Sequence, residues 1–193
     1  MNLSKVVVVT GTPGVGKSTV LSDIEYILKE RGVDLNIIVF GSAMLEEALS
    51  IGIKDRDNLR KLPVEKQKEL QVKTAQKISR NRKGIVFVDT HLFINTNEGY
   101  WPGLPQEVLK ALSPTNLVLI QAKPSEIMNR RNEDESRKRD KTTKGNILIE
   151  QDIARHLLGV TSVLTGSPMF IVKNSHGKSK DTAKLIIDSL GCF

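Results

Sequence analysis

The feature that most constrains this chain is a turn, Gly11-Thr12-Pro13-Gly14-Val15-Gly16-Lys17-Ser18-Thr19, placed between an apolar run and a helical pattern. Ahead of it, Lys5-Val6-Val7-Val8-Val9-Thr10 reads as a strand buried on both faces. Behind it, Val20, Leu21, Ile24, Ile27 and Leu28 recur at helical spacing until Gly32 stops the pattern. The turn satisfies G-x-x-x-x-G-K-[ST] in full. Each part has a physical task. The glycines let the backbone curl so that successive N–H groups converge on phosphate oxygens. The start of the following helix adds partial positive charge. Lys17 brings a full charge to the outer phosphates, and the Ser18 hydroxyl suits a magnesium ion. Binding of a nucleoside triphosphate is therefore expected.

The rest of the chain continues the alternation. Further strands are expected over residues 35–40, 85–88, 117–120 and 169–172. Helices are expected from Ser42, as N-cap, to Leu49, from Pro63 to about Arg82, over 106–112, over 124–131, over 145–164 and over 180–190. On the helix over 145–164, Ile149, Ile153, Leu157, Val160 and Leu164 form the apolar stripe. Residues 90–105 read as a long irregular loop framed by Pro and Gly, which in a compact domain points to function. Five strands alternating with helices imply a parallel sheet covered on both faces, with ligands beyond the carboxyl ends of the strands. Thr10, Phe40, Asp89 and Gln121 lie at those ends.

A length of 193 residues suits one domain with a sizeable core, and 39% hydrophobic against 26% charged residues is the balance of a globular chain. No apolar run reaches the roughly 20 residues that a membrane-spanning helix requires. The single cysteine, Cys192, excludes an internal disulfide and a cysteine-rich zinc site, so no structural zinc and a reducing, cytoplasmic compartment are expected. The net charge of +7 favours anionic partners. Aromatic residues make up only 4%, which speaks against a base-stacking nucleic-acid surface and against stable nucleic-acid binding.

Phosphate chemistry suggests roles for further residues. Asp89, closing an apolar strand, can hold a magnesium-bound water. The segment running from Arg130 through Arg137 and Arg139 to Lys141 has the charge density of a small lid, and Arg155 follows on the next helix. A solvated charged loop would show the same composition. Arg56, Arg60 and Lys61 could hold an acceptor phosphate or simply form a polar connection. His91 suits either a donor to the acceptor or a strut for the long loop, and Tyr100 with Trp101 reads first as an anchor for it. Phe40, Met44 and Leu45 read as helix–sheet core sooner than as a base pocket. No N-K-x-D sequence for reading guanine is present.

The ordered set of motifs resembles the archaeal-type adenylate kinases. It comprises Val9-Thr10-Gly11-Thr12-Pro13-Gly14-Val15-Gly16-Lys17-Ser18-Thr19-Val20-Leu21, Phe40-Gly41-Ser42-Ala43-Met44-Leu45, Lys54-Asp55-Arg56-Asp57, Val64-Glu65-Lys66-Gln67-Lys68, Phe87-Val88-Asp89-Thr90-His91 and Gly99-Tyr100-Trp101-Pro102-Gly103-Leu104-Pro105. The resemblance spans nearly the whole chain. It implies a three-layer P-loop fold with a five-stranded parallel sheet, a helical acceptor-binding segment over about 41–82 and a short lid over about 131–144, in one domain. It implies ATP + AMP giving two ADP with Mg²⁺, no membrane partner, and homo-oligomers, trimers among them, in part of the family. Carried over by position, residues 11–19 would bind ATP, and Ser18 and Asp89 would serve the metal. Gly41, Arg56, Arg60 and His91 would serve AMP. Lys17, Arg130, Arg137, Arg139 and Arg155 would be catalytic. Another small-molecule P-loop kinase and an RNA-associated ATPase remain the alternatives at this stage.

Overall fold

The computed structural model describes residues 4–55, 58–59, 61–96, 98–133 and 143–191. Its elements, in chain order, are β1 (Lys5–Thr10), α1 (Lys17–Glu30), β2 (Leu35–Val39), α2 (Phe40–Leu49), α3 (Val64–Arg80), β3 (Ile85–Asp89), β4 (Phe93–Thr96), β5 (Gly99–Pro102), α4 (Gln106–Leu112), β6 (Asn116–Gln121), α5 (Pro124–Glu133), α6 (Lys144–Thr165), β7 (Met169–Lys173) and α7 (Ser179–Ser189). Five strands form one parallel sheet in the order β2-β3-β1-β6-β7. The expected α/β three-layer architecture is thus present.

Alternation along β1 builds the two faces. Val7 and Val9 pack with Val20, Leu21, Ile24 and Leu28 of α1 and Ala183, Ile186 and Ile187 of α7. Val6 and Val8 face the opposite layer, with Ala75 and Ile78 of α3, Val108 and Leu112 of α4, and Ala154 and Leu158 of α6. A continuous valine run suits a central strand because both faces are covered. A third, smaller cluster joins Met44 and Ala48 of α2 with Leu59 and with Leu70 of α3. Helices α2 and α3 thus share this small cluster in addition to the second one, which joins Phe40, Ala75 and Ile78 to the sheet. Among the described residues, no helix is long and apolar enough to cross a membrane.

Four local expectations are corrected. Residues 90–105 are not irregular throughout: Phe93–Thr96 and Gly99–Pro102 pair as an antiparallel hairpin. Its base is closed by the Gly103 N–H donating to Leu92 O at 2.8 Å. A side chain at Gly103 would put Cβ 2.1 Å from His91 O, so the backbones can approach this closely only at glycine. Helix α2 begins at Phe40 without a Ser42 cap, because the Phe40 ring turns straight into the core from the end of β2. Pro63 is the N-cap of α3, with ψ 142, and not its first helical residue. On α6 the buried stripe is Ile147, Gln151, Ala154, Leu158 and Thr161, while Ile149, Val160 and Leu164 are about half exposed. Both stripes have helical spacing, since the helix is apolar over much of its circumference. What selects the inner one is fit: the Gln151 Oε1 accepts the Ala122 N–H at 3.2 Å, and Ala154 lets the helix sit close.

Candidate active site

The cradle is a left-handed turn feeding a helix. Gly16, at φ 91 and ψ 27, is the N-cap of α1, and no side chain caps that helix. The first amides of α1 consequently have no intrahelical acceptor and are available to an anion. Gly14 has φ 90. Both values are strained for residues with a Cβ. At Gly11 a Cβ would lie 2.6 Å from Ile120 O, so the loop presses directly on β6.

The outer side of the loop is tied down by side chains from distant segments. Arg131 Nε donates to Pro13 O at 2.9 Å. Arg130 Nη1 donates to Val15 O at 2.9 Å and reaches Gly14 O at 3.3 Å. Asn174 Nδ2, from just beyond β7, donates to Val15 O at 2.8 Å. Arg131 Nη2 also pairs with Glu150 Oε2 of α6 at 2.6 Å, joining α5 to α6.

On the inner side, Lys17 is buried. Its Nζ lies 3.6 Å from Asp89 Oδ1, 3.4 Å from Gly11 O and 3.4 Å from His91 Nε2. Burial pushes the Asp89 carboxyl above its ordinary value, and the Lys17 ammonium opposes the shift. Asp89 Oδ1 is buried with no hydrogen-bond partner among the described residues, and the Lys17 ammonium stands at ion-pair distance from it. The loop opens into a hollow of about 240 Å³ lined by Gly11, Thr12, Pro13, residues 91–95, Glu150 and Ala154. One wall of it is thus the β4–β5 hairpin, where Tyr100 packs edge-on against Phe93 with ring centroids 5.1 Å apart. That contact joins the two strands of the hairpin.

The donor set here is hard oxygen. The underbonded Asp89 carboxylate and the exposed Ser18 hydroxyl on the first turn of α1 fit Mg²⁺ held largely through water and phosphate. Among the described residues there is no group of three or more His, Cys, Asp or Glu that could hold a metal by protein ligands alone.

A family model described as "AAA domain" matches residues 10–148. An adenylate kinase of Sulfurisphaera tokodaii is 40% identical over 192 residues, covering 96% of this chain and 99% of that protein. An adenylate kinase of Saccharolobus solfataricus is 40% identical over 193 residues, with the same coverage of both chains. The chain belongs to the adenylate kinase family. Among solved structures, the shikimate kinase of Acinetobacter baumannii in complex with shikimate superposes with TM-score 0.56 at 14% identity, covering 98% of this chain and 94% of that one. The shikimate kinase of Aquifex aeolicus gives TM-score 0.56 at 16% identity, covering 96% of each chain. At such identity these two speak for the fold alone.

Set against the adenylate kinase pattern, the structure brings Lys17, Asp89 and His91 together beside the loop. Gly41 lies in the exposed first turn of α2 with open space around its Cα. Arg130 is engaged with the loop's carbonyls, which is a different position from a lid cation resting over phosphates. Arg155 pairs with Asp152 on its own helix and lines a separate hollow with Gln121, Lys123 and Lys173. Arg56, Arg60, Arg137 and Arg139 lie outside the described residues. Phe40 and Met44 are core, as expected. Sequence reasoning missed Glu150 and Asn174, and took Arg131 only as part of the charged lid segment. The rule that sites gather at strand ends points to Asn174, which follows β7 directly.

Proposed function

We propose that this chain transfers the terminal phosphoryl group of ATP to AMP, reversibly, giving two ADP. The observation that carries the reading is the buried Lys17, at the meeting point of the phosphate loop, Asp89 and the hollow bordered by His91. That arrangement supports a donor phosphate on one side and an acceptor on the other. An oxygen of the AMP phosphate attacks the γ-phosphorus in line. As that O–P bond forms, the bond to the β–γ bridging oxygen breaks and ADP leaves with its electron pair. The chain supplies no covalent nucleophile. Its contribution is positioning and charge: loop amides and Lys17 meet the negative charge on the transferring group. Ser18 and Asp89 are the residues that would hold Mg²⁺, which when bound neutralises charge on the β- and γ-oxygens.

ADP formation measured from ATP with and without AMP tests the proposal. We expect AMP-dependent turnover far above basal ATP hydrolysis. Equal ADP release in both arms overturns it. A panel of other nucleoside monophosphates and shikimate in place of AMP tests the acceptor, and a faster reaction with any of them reassigns it.

A further inference from the structure

We propose that Asn174 is a positioning residue for the donor triphosphate, acting through the Val15–Gly16 peptide. The inference rests on the phosphate-loop reading above. In a trans peptide, the C=O of one residue and the N–H of the next point in opposite directions. The Val15 carbonyl is held on the outer side of the loop by two donors, Asn174 Nδ2 at 2.8 Å and Arg130 Nη1 at 2.9 Å. The Gly16 N–H is thereby turned to the inner side, where the first amides of α1 also lie. A carbonyl has two lone pairs, and here both are used.

Asn174 is itself rigidly placed. It is 3% exposed. Its backbone N–H donates to Gln121 O at 2.7 Å, tying it to the end of β6. Its Oδ1 lies 3.3 Å from the Thr182 hydroxyl of α7. The side chain also fits only against glycine: a Cβ on Gly16 would sit 2.6 Å from Asn174 Nδ2. Gly16 and Asn174 are in this sense one device. The glycine supplies the φ of 91, and the amide fixes which way its N–H faces. Arg130 carries a charge and a long side chain, so it can hold the carbonyl in more than one geometry. The short, buried amide of Asn174 cannot. Its loss releases the peptide to rotate, and the cost falls on the donor's phosphates and not on the acceptor.

The experiment measures dissociation constants for ATP and for AMP, by calorimetry, on wild type and on Asn174→Ala. Circular dichroism and thermal melting confirm that each protein is folded at the assay temperature. We expect the ATP constant to rise about tenfold and the AMP constant to stay within threefold. An ATP constant that moves less than threefold overturns the inference, and so does an equal rise in both constants, which is what a merely structural support would give. If Asn174→Ala does not fold, Asn174→Ser carries the same criterion, since a hydroxyl on Cβ is too short to reach Val15 O. Wild type that fails to bind ATP at all sinks the phosphate-loop reading itself, and is distinguishable for that reason.

Discussion

Lys17 is a buried ammonium beside a carboxylate, a carbonyl and an imidazole. Its contacts with Asp89, Gly11 and His91 fall at 3.4–3.6 Å, beyond the 2.7–2.9 Å of a strong charged hydrogen bond. Lys17→Met keeps the length of the side chain and removes the charge. Its turnover number should fall by about 10²–10³, the range seen when one preorganised donor to transition-state charge is lost. Circular dichroism should show an unchanged fold. Near-normal turnover in that variant would exclude Lys17 from the chemistry. At this scale the sequence made legible the turn that carries Gly16 and Lys17 and the strand end that carries Asp89. Asn174 and Arg131 act on carbonyls more than a hundred residues away in the chain. No local pattern records such a contact. Arg130 stands out in the sequence by its charge, which does not tell a phosphate from the loop's own carbonyls as its partner.

Between elements, the joint of interest is α2 against α3. Glu47 of α2 is 6% exposed, and its carboxylate meets Lys73 Nζ at 3.1 Å and Lys77 Nζ at 2.5 Å. The hydrogen bonds from Lys77 and then Lys73 hold its pKa below the ordinary 4.5, outweighing burial. A lowered carboxyl pKa stabilises the fold at pH above 4.5, and the benefit disappears as pH falls through the folded-state value. Glu47→Gln should therefore lower the melting temperature by about 2–4 °C near neutral pH, since the lysines are largely solvated. The gap between variant and wild type should close below pH 4.5. A gap that persists unchanged into acid would show that the ion pairs are not its source. Elements were legible where pattern has one solution, as in β1. They were not where it has two. On α6 two stripes share helical spacing, and only packing against Ala122 selects one. In residues 93–102 the Gly and Pro that suggested a loop in fact bound a hairpin.

At the scale of the molecule, three apolar clusters matter. Two sandwich the sheet, and the third gathers Met44 and Ala48 of α2, Leu70 of α3 and Leu59, with Leu45, Ile53 and Leu62 against it. The phosphate loop rests on the first two, while the proposed acceptor segment joins the second through Phe40, Ala75 and Ile78 and is held within itself by the third. A ligand that contacts both sides should therefore add a second tie between the loop and the proposed acceptor segment. A dinucleoside polyphosphate carrying both adenosines is such a ligand. At a hundredfold excess over its dissociation constant, binding to the native state alone adds about 2.7 kcal/mol. For a chain of this size that corresponds to a rise of about 5–11 °C in melting temperature. At equal concentrations the rise should exceed the sum of those from ATP and AMP added separately, because one molecule loses its translational freedom once where two lose it twice. Lys17→Met should abolish most of the shift. A bisubstrate ligand that stabilises the protein no more than ATP does would show that the second nucleotide does not lie beside the first, and the hollow bordered by His91 would then need another occupant.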